Sequence, residues 1–380
     1  MDTKITFFIR DRAAHRQAVE PIADVASDRG FDVEISENPF EPTDIGVYTC
    51  KFTGYHPSAN SELSVSLFHG VDSIYSTGPL RFDWSRFDIG LIPGKCGTEM
   101  WKEYSTSFSA RPQIGAFCGG WPKFDVLYSD KFESQKEDYK NNLDLRKQRT
   151  LLYAPMNKAD NRNILELIEL VDTSNFDILI KHADFDSIDY TDIYEKAESS
   201  DGVRILDSKD NILLPLSISD IVVSDSESVQ LEGLVTEAVP IRISDWTHES
   251  HRPTEDTEFD FVEVCTQDEL TTLTESGPDT VNRKIKALEQ SRSDHFANLG
   301  CSAPVVMDLI EEIINGSELS IDPVEPAESY SEVDKYKTRI KNGFQRVQSS
   351  FVVNLPRSTQ EDLLDGESPL RKLSNIVRWN

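Results

Sequence analysis

Three short segments carry side chains whose types and placement could do chemistry. In Ser64-Val-Ser-Leu-Phe-His69-Gly70, an apolar run delivers an imidazole, which titrates near neutral pH, and a glycine that lets the backbone turn close to a ligand. In Phe176-Asp-Ile-Leu-Ile-Lys181-His182, a second apolar run again ends on a histidine, here beside a lysine. In Ile218-Ser-Asp-Ile-Val-Val-Ser224-Asp-Ser226-Glu227-Ser228, an apolar run turns through hydroxyls into a stretch of helical spacing that carries Glu232. Such groups support proton abstraction by an imidazole, and anion binding by hydroxyls and the unpaired N–H groups of a helix start. Each also has a plainer reading. A histidine after a strand often only hydrogen-bonds loop backbone, and Ser224-x-x-Glu227 is also a capping box that satisfies the helix N–H groups internally.

Lesser candidates are Gly94 and Lys95, in Ile92-Pro-Gly94-Lys95-Cys-Gly97, which follow an apolar run but lack the spacing of a phosphate-binding Walker loop and read equally as a turn. His248-Glu-Ser-His251 has i,i+3 spacing rather than the HExxH arrangement, so no metal site is expected there. His295, in Asp294-His295, reads as a packed loop residue. Neither a metal nor another cofactor is expected.

These residues need elements that bring them to one edge. Residues 5–9, 31–35, 45–48, 65–68, 89–92 and 113–117 read as strands, with helices over 13–29 and 97–107. A charged helical stretch, 133–148, then precedes a second cycle. Strands are expected at 150–154, 176–181, 203–205, 218–223, 240–243 and 261–264, and helices at 161–173, 228–238, 281–298 and 303–314. Alternation of this kind predicts two α/β domains with mainly parallel sheets, where ligands bind outside the carboxyl ends of the strands. The expected domains are 1–145 and 146–315, followed by an acidic linker and C-terminal helical segment over 316–380. Within the last, 331–349 and 370–379 have helical character.

The chain has 380 residues, enough for two cores, and its 39 basic and 67 acidic side chains leave a formal charge of −28. That charge argues against nucleic acid as a partner, and its spread over most of the chain suits a salt-adapted, haloarchaeal-type cytoplasm. The five cysteines lack a CxxC pair, so neither a disulfide framework nor a zinc ribbon is expected. No apolar run is long enough to span a bilayer, and no basic n-region opens the chain, which predicts a soluble cytoplasmic protein. No amphipathic basic helix marks membrane docking in this reading.

Taken in order, His69-Gly70, Gly120-Trp-Pro-Lys-Phe-Asp125, Leu152-Tyr-Ala-Pro155, Ile180-Lys-His182, Val223-Ser-Asp-Ser-Glu-Ser228 with Glu232 and Pro240, and Asp294-His-Phe-Ala-Asn-Leu-Gly300 resemble the CDP-glycerol glycerophosphotransferase family. These enzymes build or prime teichoic-acid-type polymers. The resemblance spans residues 65–314 and implies a GT-B architecture, two Rossmann-like domains facing a central cleft. It implies a CDP-linked donor such as CDP-glycerol, held mainly by the second domain, and a hydroxyl-bearing acceptor that is lipid- or glycan-linked, with membrane contact at most peripheral. It makes His69 the general base. It also assigns His182, Ser226 and Ser228 to the donor phosphates and Glu232 to the ribose hydroxyls; Gly70, Gly94 and Lys95, each just after an apolar run, are the acceptor-side candidates by their own position. Val71, Ala183 and Glu227 depart from the family pattern. The same scaffold hosts GT-B glycosyltransferases, UDP-sugar 2-epimerase-like enzymes and non-catalytic homologues, which stand as alternatives.

Overall fold

The computed structural model describes residues 3–50, 56–70, 83–155, 162–171, 173–182, 191–225, 227–246, 259–275 and 288–353. The chain opens with β1 (Lys4–Phe8), whose Ile5, Phe7 and Phe8 are wholly buried, and α1 (Ala13–Asp28). Gly30 closes this helix with a left-handed φ of 86°, and the Phe31 amide reaches back to the Ala26 carbonyl. Strands β2 (Asp32–Ser36), β3 (Thr43–Tyr48), β4 (Ser61–Ser66), β5 (Ile89–Leu91) and β6 (Gly115–Phe117) complete a parallel sheet of order β2-β1-β3-β4-β5-β6. Helix α2 (Lys95–Tyr104) connects its last two strands. The order reverses between β1 and β3, so the crevice for a ligand lies at the carboxyl ends of those two strands.

After α3 (Asp130–Asn142) the second cycle runs through β7 (Arg149–Tyr153), α4 (Arg162–Leu170), β8 (Phe176–Ile180), α5 (Thr191–Glu198), β9 (Val203–Ile205) and α6 (Leu213–Ser217). It continues with β10 (Ile221–Val223), α7 (Glu227–Thr236), β11 (Val239–Ile243), β12 (Glu263–Cys265) and α8 (Gln267–Glu275). This sheet is also parallel, in the order β12-β11-β10-β7-β8-β9, and its switch point falls between β7 and β10. Two parallel six-stranded sheets therefore form, as the alternation of the sequence predicts. Both faces of such sheets are covered, which is why β8 reads as five consecutive buried residues.

The end of the chain departs from the expected partition. Helix α9 (Ser302–Asn315) was expected within the second domain, but its Val306, Met307, Leu309 and Ile310 join the core of the first sheet. The physical reason is Asp125, which accepts hydrogen bonds from the amides of Ser302 (3.0 Å) and Ala303 (2.6 Å) and so caps α9 from the first sheet's side. Residues 316–331 do not wander as a linker either. Val324 donates to the Ala116 carbonyl at 2.7 Å, and Pro323 pairs with Phe117, so this stretch covers the edge strand β6. Helix α10 (Glu332–Val353) then crosses back over the first domain, where the Asp334 carboxylate accepts from the Phe108 amide and the Ser349 hydroxyl from the His56 amide. Residues 370–379 lie outside the described residues.

Compaction brings the charge of −28 together, and the resulting self-repulsion is what salt adaptation would relieve. We expect the melting temperature to rise when KCl is increased from about 0.1 M to about 2 M, over which the screening length shrinks severalfold. A melting temperature that does not move would show that the acidic surface is no adaptation to salt.

Candidate active site

At the first switch point, the carboxyl ends of β1, β3 and β4 bring together a pair of imidazoles. The His69 amide donates to the Thr49 carbonyl at 3.0 Å, and His69 Nδ1 lies 3.2 Å from the same oxygen. A carbonyl only accepts, so the network assigns the proton to Nδ1 and leaves Nε2 as the basic nitrogen. The His15 ring, from the first turn of α1, stacks on His69 with centroids 3.8 Å apart. His15 Nδ1 sits 2.6 Å from Thr49 Oγ1, whose own hydrogen goes to the Phe8 carbonyl. Thr49 therefore fixes the tautomer of both rings. Burial holds the His15 pKa down to about 2, with His69, Arg10 and Arg12 adding repulsion, so this ring is neutral at physiological pH. Gly70 is buried directly beyond His69.

Sequence reasoning missed His15, because it falls inside a helix with a regular apolar face. The available signal was its position, just past Arg10-Asp11-Arg12 in the first strand-to-helix connection of an open sheet.

In the second domain, His182 follows β8 and is 5% exposed, with the Tyr194 hydroxyl 2.7 Å from its Nδ1. Burial, and then the neighbouring Lys181, push its pKa down to about 4. Lys181 itself turns aside to the Ser208 carbonyl, at 2.6 Å. At the switch point between β7 and β10, Tyr153, Pro155, Asn163, Ser224, Asp225 and Trp246 line a small cleft. The Ser224 hydroxyl donates to the Ala154 carbonyl at 2.6 Å, and the first helical residue of α7 is Glu227. Ser226 lies outside the described residues, while Ser228 sits half-buried in the first turn.

The remaining candidates lie where the two domains meet. Glu232, on α7, accepts from the Lys123 ammonium, and both side chains are almost fully buried. Lys123 belongs to the 3₁₀ turn Pro122–Tyr128 that follows the first sheet, so this pair ties one domain to the other. A Cβ at Gly94 would collide with the backbone of His295, and the Ala297 amide donates to the Pro93 carbonyl at 2.8 Å beside it. Lys95 is exposed and 3.5 Å from Asp294. The His295 ring stands edge-on to Phe259 and Phe261, and burial pushes its pKa down to about 4, in keeping with the packing role expected of it. Residues 248–251 lie outside the described residues, among which no cluster of three or more His, Cys, Asp or Glu is placed to hold a metal ion. No helix among the described residues is long and apolar enough to cross a membrane.

No family model matches the sequence, and no curated protein does. Solved structures do resemble this one. The wall teichoic acid polymerase TagF superposes with a TM-score of 0.57 at 14% identity, over 82% of this chain and 89% of that one. A protein from Listeria monocytogenes described as a UDP-N-acetylglucosamine 2-epimerase gives 0.56 at 14% identity, over 86% and 100%. The Methanocaldococcus jannaschii UDP-GlcNAc 2-epimerase, in complex with UDP-GlcNAc and UDP, gives 0.52 at 14% identity, over 82% and 100%. At such identities the likeness establishes the fold, which is GT-B.

Proposed function

We propose that this protein is a transferase that moves a glycerophosphate-type group from a CDP-linked donor to an acceptor hydroxyl in the synthesis of a cell-surface polymer or glycan. The observation that carries the reading is His69. It stands at the carboxyl end of β4, beside the switch point of the first sheet, with Thr49 directing its proton to Nδ1 and its lone pair to Nε2. An imidazole so arranged, with its lone pair on Nε2, is equipped to take a proton from a hydroxyl.

In this mechanism the donor lies along the second domain. The pyrophosphate sits at the N-terminus of α7, where Ser226, Ser228 and the helix N–H groups donate to it, and where the helix dipole favours negative charge. His182, held neutral by burial, offers a further ring nitrogen to the phosphates when the Tyr194 hydroxyl donates to Nδ1 and places the ring proton on Nε2. Glu232 keeps its second carboxylate oxygen for ribose hydroxyls while Lys123 holds the first. On the acceptor side, lined by Gly70, Gly94 and Lys95, His69 Nε2 removes the hydroxyl proton. The acceptor oxygen bonds to the phosphorus of the glycerophosphate, and the bond from that phosphorus to the bridging oxygen breaks, releasing CMP. The acceptor, lipid- or glycan-linked, would be met in the cytoplasm at the inner membrane face.

Calorimetric titration with CDP-glycerol, CDP-ribitol and UDP-sugars tests the donor. Binding confined to the UDP compounds would overturn the glycerophosphate reading in favour of a sugar-nucleotide enzyme on the same fold. Within the donor site, Ser228→Ala is expected to weaken CDP-glycerol binding by about 1–2 kcal/mol, the worth of a charge-assisted hydrogen bond, with little change in melting temperature. The reverse result, unchanged affinity and lowered stability, would make this serine a helix-start residue without a phosphate role.

A further inference from the structure

Helix α10 carries an apolar stripe on its outer face, while its inner face holds polar residues and, near its end, the buried Val352. Thr338 and Ser349 are buried against the first domain, Asn342 donates to the Ser85 hydroxyl at 3.0 Å, and the Ser349 hydroxyl receives the His56 amide at 2.9 Å. The opposite side carries Val333, Tyr336, Ile340, Phe344 and Val347, each 55–71% exposed. Their spacing of three and four residues places all five on one narrow stripe, where a surface helix would ordinarily be polar.

The charges around this stripe select its partner. In a chain of net charge −28, α10 holds five basic residues, Lys335, Lys337, Arg339, Lys341 and Arg346, and only two acidic ones, Glu332 and Asp334. At 3.6 residues per turn, Lys337 and Lys341 flank the stripe on one side, and Arg339 and Arg346 on the other. Some of this charge is engaged: Lys341 pairs with Asp83, Lys335 with Glu332, and Arg339 lies over the Phe108 ring. Basic borders on both sides make self-association unfavourable, since two copies packed stripe to stripe would set like charges opposite each other in either direction. A single helix stripe also falls short of the roughly 800 Å² per partner of a stable interface. Aromatic and aliphatic residues bordered by Lys and Arg match instead the boundary between anionic headgroups and acyl chains.

We propose that the outer face of α10 docks this protein on an anionic lipid surface. The sequence reading found no such helix, because which face of 331–349 is covered is decided by its packing on the first domain. The proposal does not depend on the transfer chemistry, as docking is measured without donor or acceptor, and its failure would leave that reading untouched.

The test is flotation of the full chain with vesicles of phosphatidylcholine alone or mixed equally with phosphatidylglycerol. The protein is expected to float with the mixed vesicles only. Ile340→Glu and Phe344→Glu, both at exposed positions that leave the fold intact, should each lower the vesicle-bound to free ratio by about tenfold, and Lys337→Glu combined with Arg346→Glu should do so by a similar factor. Wild-type protein that stays unbound, binds both vesicle types equally, or floats undiminished in these variants would overturn the proposal. So would a concentration-dependent dimer, seen by sedimentation and abolished by Phe344→Glu without any flotation, since the face would then be a contact between copies.

Discussion

His69→Ala should lower turnover of CDP-glycerol by about 10²–10⁴-fold, the usual contribution of a positioned general base, while donor affinity stays near that of the unaltered protein. The separation follows from the architecture. His69 belongs to the first sheet, with its own partners Thr49 and His15, whereas the proposed donor contacts belong to the second. His69→Gln is the informative companion, because it keeps a polar side chain and removes the titrating nitrogen. Both variants should stay folded and bind nucleotide by calorimetry. Near-normal transfer by His69→Ala, or its failure to fold while His69→Gln remains fully active, would assign the ring to packing against His15 and end the general-base mechanism.

Lys123→Ala should cost about 3–5 kcal/mol of stability, because it strands the Glu232 carboxylate where little water reaches it. The loss is read from urea midpoints, and the control is the double variant Lys123→Met with Glu232→Gln, which removes both charges at similar volume and should recover most of the loss. Glu232→Gln alone separates the two tasks assigned to this residue. A fall in CDP-glycerol affinity larger than the fall in stability supports a ribose contact, whereas a fall in stability alone leaves Glu232 as the carboxylate that joins the domains. A Lys123→Ala protein as stable as the original would show that the pair does not hold the two domains together.

The contrast between these two sites shows what could be read before folding. Apolar runs that end on a histidine or a serine turn, at regular intervals, are properties of the local chain. They placed β4 before His69, β8 before His182 and β10 before Ser224, and the alternation with helical spacing implied parallel sheets. Short polar helices such as α5 and α8 were passed over, because a few residues with modest apolar content give little periodic signal against the surrounding loops. The left-handed φ at Gly30 was likewise foreseeable, since a glycine after a long amphipathic run is the usual place for a helix to stop.

What the residues do to one another was decided only in three dimensions. Lys123 and Glu232 are 109 positions apart, and each read alone is an ordinary charged residue. His15 meets His69 because β1 and β4 both border β3, whose end supplies Thr49 to both rings. Helix α9 follows the second domain in sequence but packs on the first, since Asp125 and the core around Phe117 and Trp121 offer its N-terminus and apolar face a place there. The alternating pattern of this sequence determined its two parallel sheets and the strand ends that carry His69, His182 and Ser224, because strand and helix periods are local. Tautomers, buried ion pairs and the return of the C-terminal helices depend on contacts between distant segments, whose energies no local pattern encodes.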